Sequence, residues 1–327
     1  MPEAIALGEL LIDFVSIDRD VSLADLPSFA GAAGGAPANV AVGLARLGVS
    51  AGFIGKVGKD PFGEFLRRTL DREGVDTQLL RLSEGTRTTL AFVATRSDGQ
   101  KDICFYRNPG ADVLLTAEEV IPSYLEAARL FHFGSVSLSR PPAREATLHA
   151  ALMARDAKLL VSYDPNWRPT LWGDVREANG LIWEAMAFAD LVHCADEEWE
   201  FITGTADLQA GARRILAAGP RLVVVTLGER GCYYDDGESR GHVPGFAVEV
   251  VDSLGAGDAF VAAMLSHLVY APKEAKLSDE QLRDIMRYAN AAGALACTKR
   301  GVIPALPRPS EIEAFLHSRA DSPPPTR

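Results

Sequence analysis

The sequence predicts an α/β protein with a mostly parallel central sheet flanked by helices, and three observations carry that expectation. Short β-branched runs alternate with amphipathic stretches, the order that sets parallel strands side by side with helices on their faces. Proline near the start and glycine just past the end bracket the helical stretches. A single segment departs from the alternation, where two strand-like runs follow each other across a turn signal.

In chain order, Ala4 to Val15 reads as a strand. Ala38 to Leu47 reads as a helix with Val40, Leu44 and Leu47 on one face, Pro37 at its start and Gly48 past its end. Phe62 to Glu73 is a second helix, stopped by Gly74. Leu130 to Phe133, Leu159 to Tyr163, Leu191 to Cys194 and Leu222 to Thr226 are apolar strands, separated by helical stretches such as Arg144 to Arg155 and Leu208 to Ala218. Thr86 to Thr95 and Lys101 to Arg107 form the exception, joined across Ser97-Asp98-Gly99-Gln100. They fit either a flap over a site or an edge hairpin of the main sheet.

Composition narrows the chemistry. Of 327 residues, 47% are hydrophobic and 24% charged, as in an ordinary globular protein. The formal net charge of −11 excludes a nucleic-acid surface, which would be basic. An acidic protein that binds phosphates must do so locally, with backbone amides, a few cations and a metal. No apolar run reaches the ~18 residues of a membrane span, and Met1 to Phe14 has no secretory-signal pattern. The four cysteines (Cys104, Cys194, Cys232, Cys297) are scattered without a CxxC pair, and the six histidines are dispersed. Reduced thiols, no zinc site and a cytoplasmic protein are expected.

The densest chemical signal is Val250-Val251-Asp252-Ser253-Leu254-Gly255-Ala256-Gly257-Asp258-Ala259-Phe260. It reads as a strand, a glycine-rich turn and a helix start, where amides of Gly255, Ala256 and Gly257 converge on an anion. A carboxylate beside such a cradle would repel phosphate. It makes sense if Asp258 takes a proton from an incoming hydroxyl as the phosphoryl group arrives. The alternative is a carboxylate that merely caps the helix. A dinucleotide loop is disfavoured because Phe260 replaces its third glycine, and Gly55-Lys56-Val57 does not complete a P-loop.

Asp13 lies in the apolar run Leu10-Leu11-Ile12-Asp13-Phe14-Val15, where an ionised carboxylate is costly unless something satisfies it. Sugar hydroxyls would, and a water-exposed strand end is the alternative. Gly34 and Gly35 permit close backbone approach, and Asn39 offers both donor and acceptor. Taken alone, Arg107 is most simply a solvated strand-end charge.

The segment from Asp252 to Leu265 resembles the second signature of the ribokinase-like (PfkB) carbohydrate kinases. Gly34-Gly35-Ala36-Pro37-Ala38-Asn39-Val40-Ala41, with Gly55-Lys56-Val57-Gly58 and Asp60-Pro61-Phe62-Gly63, resembles the first. Two signatures in the right order, far apart in the chain, are more specific than either alone, and the resemblance runs from about Ile5 to about Pro307. It implies a three-layer ribokinase-like fold with a small β lid, a single domain over 1–320 with lid strands within about 14–33 and 86–110, and a disordered tail over 321–327.

The resemblance also implies roles. Asp258 would be the base, and the amides of Gly255, Ala256 and Gly257 the anion hole. Asp13, Gly34, Gly35, Asn39, Arg107, Asn166 and Arg168 would bind substrate. Thr226, Gly228, Gly231 and Asn290 would bind ATP. Glu198, in Asp196-Glu197-Glu198-Trp199-Glu200, would help organise Mg2+ through water, and Asp252 would serve a monovalent cation such as K+. Ala195 stands where the family carries Asn or Ser, and Ala305 where some relatives carry Ser.

Within the family, Gly8-Glu9-Leu10-Leu11-Ile12-Asp13-Phe14 and Tyr106-Arg107-Asn108-Pro109-Gly110-Ala111-Asp112 look most like fructokinases. Fructose to fructose 6-phosphate is the expected reaction. The alternatives are another sugar such as 2-keto-3-deoxygluconate or ribose, a non-catalytic sugar-binding protein, and an NAD-dependent dehydrogenase. Sugar and ATP are the expected partners, with neither nucleic acid nor membrane, and a homodimer through the lid is anticipated.

Overall fold

The computed structural model describes residues 1–18, 20–95, 101–272 and 276–320. The expected turn at Ser97 to Gln100 and the expected tail from Asp321 lie outside the described residues.

Among the described residues the main sheet has nine strands. Third from one edge is β1 (Ala4–Leu7), which pairs in parallel with β4 (Ala51–Gly58) on one side and β8 (Leu130–Gly134) on the other. β5 (Asp76–Ser83) lies beyond β4. Beyond β8 come β9 (Leu160–Asp164), β10 (Leu191–Ala195) and β11 (Leu222–Thr226), all parallel. β12 (Cys232–Asp235) and β13 (Arg240–Val243) close that edge antiparallel. Apart from β5 at one edge, the parallel strands are near-continuous buried runs, as expected of strands covered on both faces.

Helices supply the outer layers. One core packs α4 (Ala143–Asp156), α5 (Val175–Met186), α6 (Asp196–Thr203) and α7 (Leu208–Ala217) on one face. The opposite core packs α1 (Ala36–Arg46), α8 (Ala256–Leu268) and α9 (Asp279–Ala296), with Val40, Leu44, Phe260 and Met264 at its centre. α2 (Pro61–Arg72) is capped by Asp60, which accepts from Gly63 N at 2.9 Å.

A second sheet of four strands has the order β3 (Phe29–Gly34), β2 (Leu11–Ser16), β6 (Leu90–Thr95) and β7 (Lys101–Tyr106). The hairpin strands therefore belong to their own sheet, which removes the main-sheet edge alternative.

Two expectations need correction. The run from Ala4 to Val15 is two strands in two sheets, broken at Gly8-Glu9-Leu10. The apolar pattern continues through the break, so only pairing partners separate the halves. The segment before Gly255 is not a strand either. Residues 244–250 belong to no strand, Val250 is exposed, and Val251 N donates to Cys297 O at 2.8 Å after α9 rather than to a strand.

Candidate active site

Strand C-termini and helix N-termini gather at one edge of the main sheet, the position where open α/β sheets place ligands. α8 opens there. Gly255 adopts φ 77°, and a Cβ at this residue would stand 2.3 Å from Val302 Cγ1, so both backbone and space call for glycine. The first helical bond closes from Ala259 N to Gly255 O, leaving the preceding amides without intrahelical acceptors. Nothing lies within 4 Å of a Cβ built on Gly257, so the cradle is open above it.

Asp258 sits on the first turn of α8, buried, and α8 has no side-chain cap hydrogen bond. An acid on this first turn still suits the helix dipole, as the capping alternative requires. Asp258 Oδ2 accepts from Asn39 Nδ2 at 2.7 Å, a contact between two helices far apart in sequence. Burial pushes the Asp258 carboxyl up to about 6. The Asn39 hydrogen bond opposes that rise, nearby Asp164 adds to it, and Arg168 and His193 work against it. Asn39 Oδ1 is buried without a hydrogen-bond partner among the described residues.

Asp13 lies in β2 beside Ala32 on β3 and Ala91 on β6, small neighbours that leave room on its face. It is half-buried rather than water-exposed. A Cβ on Gly34 would lie 1.9 Å from Asp13 Oδ2, so glycine is what lets the carboxylate occupy its position. Gly35 is the N-cap of α1, packed against the Glu9 carbonyl.

Arg107 is not the solvated charge that it resembles in sequence. It is 5% exposed, and its guanidinium meets Asp112 Oδ2 at 2.7 Å, Ser139 Oγ at 2.8 Å and Val136 O at 3.2 Å. The signal for this was Asp112 five residues downstream, which carries a compensating charge across a turn. Truncating a buried pair leaves its partner unpaired, so Arg107→Ala should cost roughly 3–5 kcal/mol of stability in urea unfolding. A loss below about 1 kcal/mol would mean that water reaches Asp112 freely.

After β9, Asn166 takes φ 45°, and Arg168 donates to Trp167 O at 3.1 Å. Glu198 opens α6 and turns back over this loop, accepting from Trp167 N at 2.6 Å and Ala195 N at 3.1 Å. Burial pushes it up to about 7. Among the described residues, no group of three or more His, Cys, Asp or Glu forms a metal cage.

Thr226 ends β11, and Gly228 and Gly231 turn the chain into β12. Asn290 on α9 donates to Val243 O at 3.1 Å and Pro244 O at 3.2 Å, and the same loop abuts Gly231. The four residues thus share one wall. Asp252 clasps two loops, accepting from Leu254 N at 3.0 Å and Gly301 N at 3.1 Å.

Several buried titratable residues here received no role from the sequence, among them Glu9, Asp164 and His193. Asp164 Oδ2 lies 3.2 Å from His193 Nδ1. Burial works against the Asp164 charge, yet His193, His132 and Arg168 together hold the carboxyl below its ordinary range. A histidine inside the apolar run Leu191-Val192-His193-Cys194 was the available signal. Glu9 Oε1 accepts from Ala36 N at 3.1 Å, and burial pushes Glu9 up to about 7.

A family model described as pfkB family carbohydrate kinase matches residues 1–309. The chain belongs to that family. It is 45% identical to "Probable fructokinase-4" of Arabidopsis thaliana over 314 residues, covering 95% of this chain and 96% of that relative. Among solved structures, the ATP-bound fructokinase of Xylella fastidiosa superposes with a TM-score of 0.89 at 32% identity, covering 98% of this chain and 100% of that one. The fructokinase of Vibrio cholerae O395, solved with fructose, ADP and a calcium ion, gives 0.86 at 34% identity, covering 97% and 99%. A double mutant of that enzyme was solved with fructose, ADP and a potassium ion. The ribokinase-like fold expected from sequence is borne out, with its second, smaller sheet. No described helix is long and apolar enough to cross a membrane.

Proposed function

We propose that this pfkB-family kinase transfers the γ-phosphoryl group of ATP to the primary hydroxyl of fructose, giving fructose 6-phosphate. One observation carries the assignment of roles: the 2.7 Å contact between Asn39 and Asp258, which ties the candidate sugar side to the candidate phosphoryl side. Asp13, Gly34, Gly35 and Asn39 hold the sugar, and Asp258 accepts its hydroxyl proton. The new O–P bond forms as the bond from γ-phosphorus to the departing ADP oxygen breaks. The amides of Gly255, Ala256 and Gly257, at the start of α8, stabilise charge on the transferring group. A carboxyl pushed up to about 6 is still ionised at neutral pH and is more basic than an exposed aspartate.

Thr226, Gly228, Gly231 and Asn290 line the nucleotide side, and Asn166 and Arg168 face the phosphates. Each Glu198 oxygen already accepts one backbone amide but keeps lone pairs for a water, which suits Mg2+ held mainly by phosphates and water. When bound, that ion neutralises charge on the β- and γ-phosphates. Asp252 and nearby carbonyls suit K+, although the carboxylate's first task is joining two loops. Arg107 supports the sugar side from within, through its bond to Ser139.

The small sheet forms a lid, and the chain up to 320 works as one domain. Phe14, Phe29, Phe92 and Tyr106 form an aromatic cluster there with Tyr106 exposed, a face suited to a second copy. Scattered free cysteines suit a reducing, cytoplasmic setting.

The test is coupled ADP release with fructose, ribose and 2-keto-3-deoxygluconate, each at varied concentration. Fructose should give the highest kcat/KM, and the rate without sugar should be far lower, as expected of a site that closes before reacting. A higher kcat/KM for another sugar would reassign the substrate.

A further inference from the structure

His193 is 2% exposed and bridges the C-terminal ends of three adjacent parallel strands. Its Nδ1 lies 3.2 Å from Asp164 Oδ2 on β9, within ion-pair reach but not aligned for a hydrogen bond, and its Nε2 lies 3.2 Å from Thr226 Oγ1 on β11. Among the described residues the other partner of the Thr226 hydroxyl is Cys194 O at 3.5 Å, too long to fix a rotor. The residue beside Thr226 in the strand register is Ala195, whose methyl offers no hydrogen bond. His193, one step back on the same face, is therefore the polar side chain that sets this hydroxyl.

We propose that His193, backed by Asp164, is a positioning residue that directs the Thr226 hydroxyl toward bound nucleotide. This rests on the reading of Thr226 as part of the ATP site. With a proton on Nδ1 alone, Nε2 accepts from Thr226 and turns its hydroxyl proton inward. With both nitrogens protonated, Nε2 donates into Oγ1, and the hydroxyl proton is released toward an acceptor such as a phosphate oxygen.

The groups facing the ring decide between the two forms. Burial and His132 on β8 disfavour the imidazolium. Asp164 on β9, Glu198 on α6 and Asp258 on α8 favour it, and the net direction is upward. The approach of polyanionic ATP pushes the same way.

The test is a double-mutant cycle on the full-length enzyme with KM for ATP as readout. Thr226→Val removes the hydroxyl at constant shape, and His193→Phe removes both ring nitrogens. Each single variant should raise KM for ATP by roughly tenfold with KM for fructose little changed, as loss of one hydrogen bond to a charged group implies. The double variant should be no worse than Thr226→Val alone. His193→Gln keeps an N–H near the Nε2 position, so it should restore KM for ATP while flattening its rise with pH.

Additive effects in the double variant would overturn the proposal, as would a His193→Phe enzyme with unchanged KM for ATP beside an impaired Thr226→Val. If His193→Phe does not fold, a His193→Gln enzyme with an unaltered pH profile overturns it alone. An unchanged KM for ATP in Thr226→Val would instead remove Thr226 from the ATP site, and the proposal with it.

Discussion

Asp258→Asn should lower kcat by roughly 10²–10⁴ while making the protein more stable at neutral pH. The loss follows because Asn cannot take the hydroxyl proton, although the neighbouring amides and the sugar contacts remain. The gain follows from linkage. The Asp258 carboxyl titrates at about 6 in the folded protein against an ordinary 3.8, chiefly because it is buried. A raised carboxyl stabilises the folded state fully below the ordinary value, and that contribution is lost as pH rises through the folded value. At pH 8 the buried charge is therefore a cost, and replacing it by a neutral isostere should recover about 1–3 kcal/mol. Thermal melts across pH would read this as a higher midpoint for the variant at pH 8 that fades toward pH 4, beside a coupled assay for kcat. In the unaltered enzyme the same group predicts that kcat/KM falls below about pH 6, as the base becomes protonated. Near-normal kcat in the variant would return Asp258 to a structural role.

Asp13→Ala should raise KM for fructose by about 10²-fold, since a carboxylate accepting from two hydroxyls is lost. KM for ATP should hardly move, because Asp13 lies in the small sheet between Ala32 and Ala91, away from the Thr226 to Gly231 turn. Gly34→Ala offers an independent approach. Its Cβ would stand 1.9 Å from Asp13 Oδ2, so the carboxylate must swing away while its charge stays. The same direction with a smaller effect is expected, measured by initial rates over a fructose series. If KM for the sugar stayed put in both variants, the sugar pocket would have to be sought elsewhere.

Much of this site was legible before any coordinates, because its parts are local. The Gly255-Ala256-Gly257-Asp258 turn and the Gly34-Gly35 to Asn39 run each carry their geometry within a few residues. Their meeting is not local. The bond from Asn39 to Asp258 joins α1 to α8, and nothing in either segment names the other. The surroundings of Arg107 are hidden in the sequence for a related reason. A strand-end arginine looks solvated until Ser139 and Val136, from a distant turn, close around it.

By itself the sequence determined the alternation of strands and helices, the glycine-rich turn and the two family signatures, since apolar periodicity and turn chemistry act over a few residues. Tertiary structure alone decided that Ala4 to Val15 divides between two sheets, that Val250 and Val251 do not form a strand, and that His193 bridges Asp164 and Thr226. Sheet membership and the pairing of buried charges depend on which distant backbone or side chain arrives as a partner, and that is settled only when the layers pack.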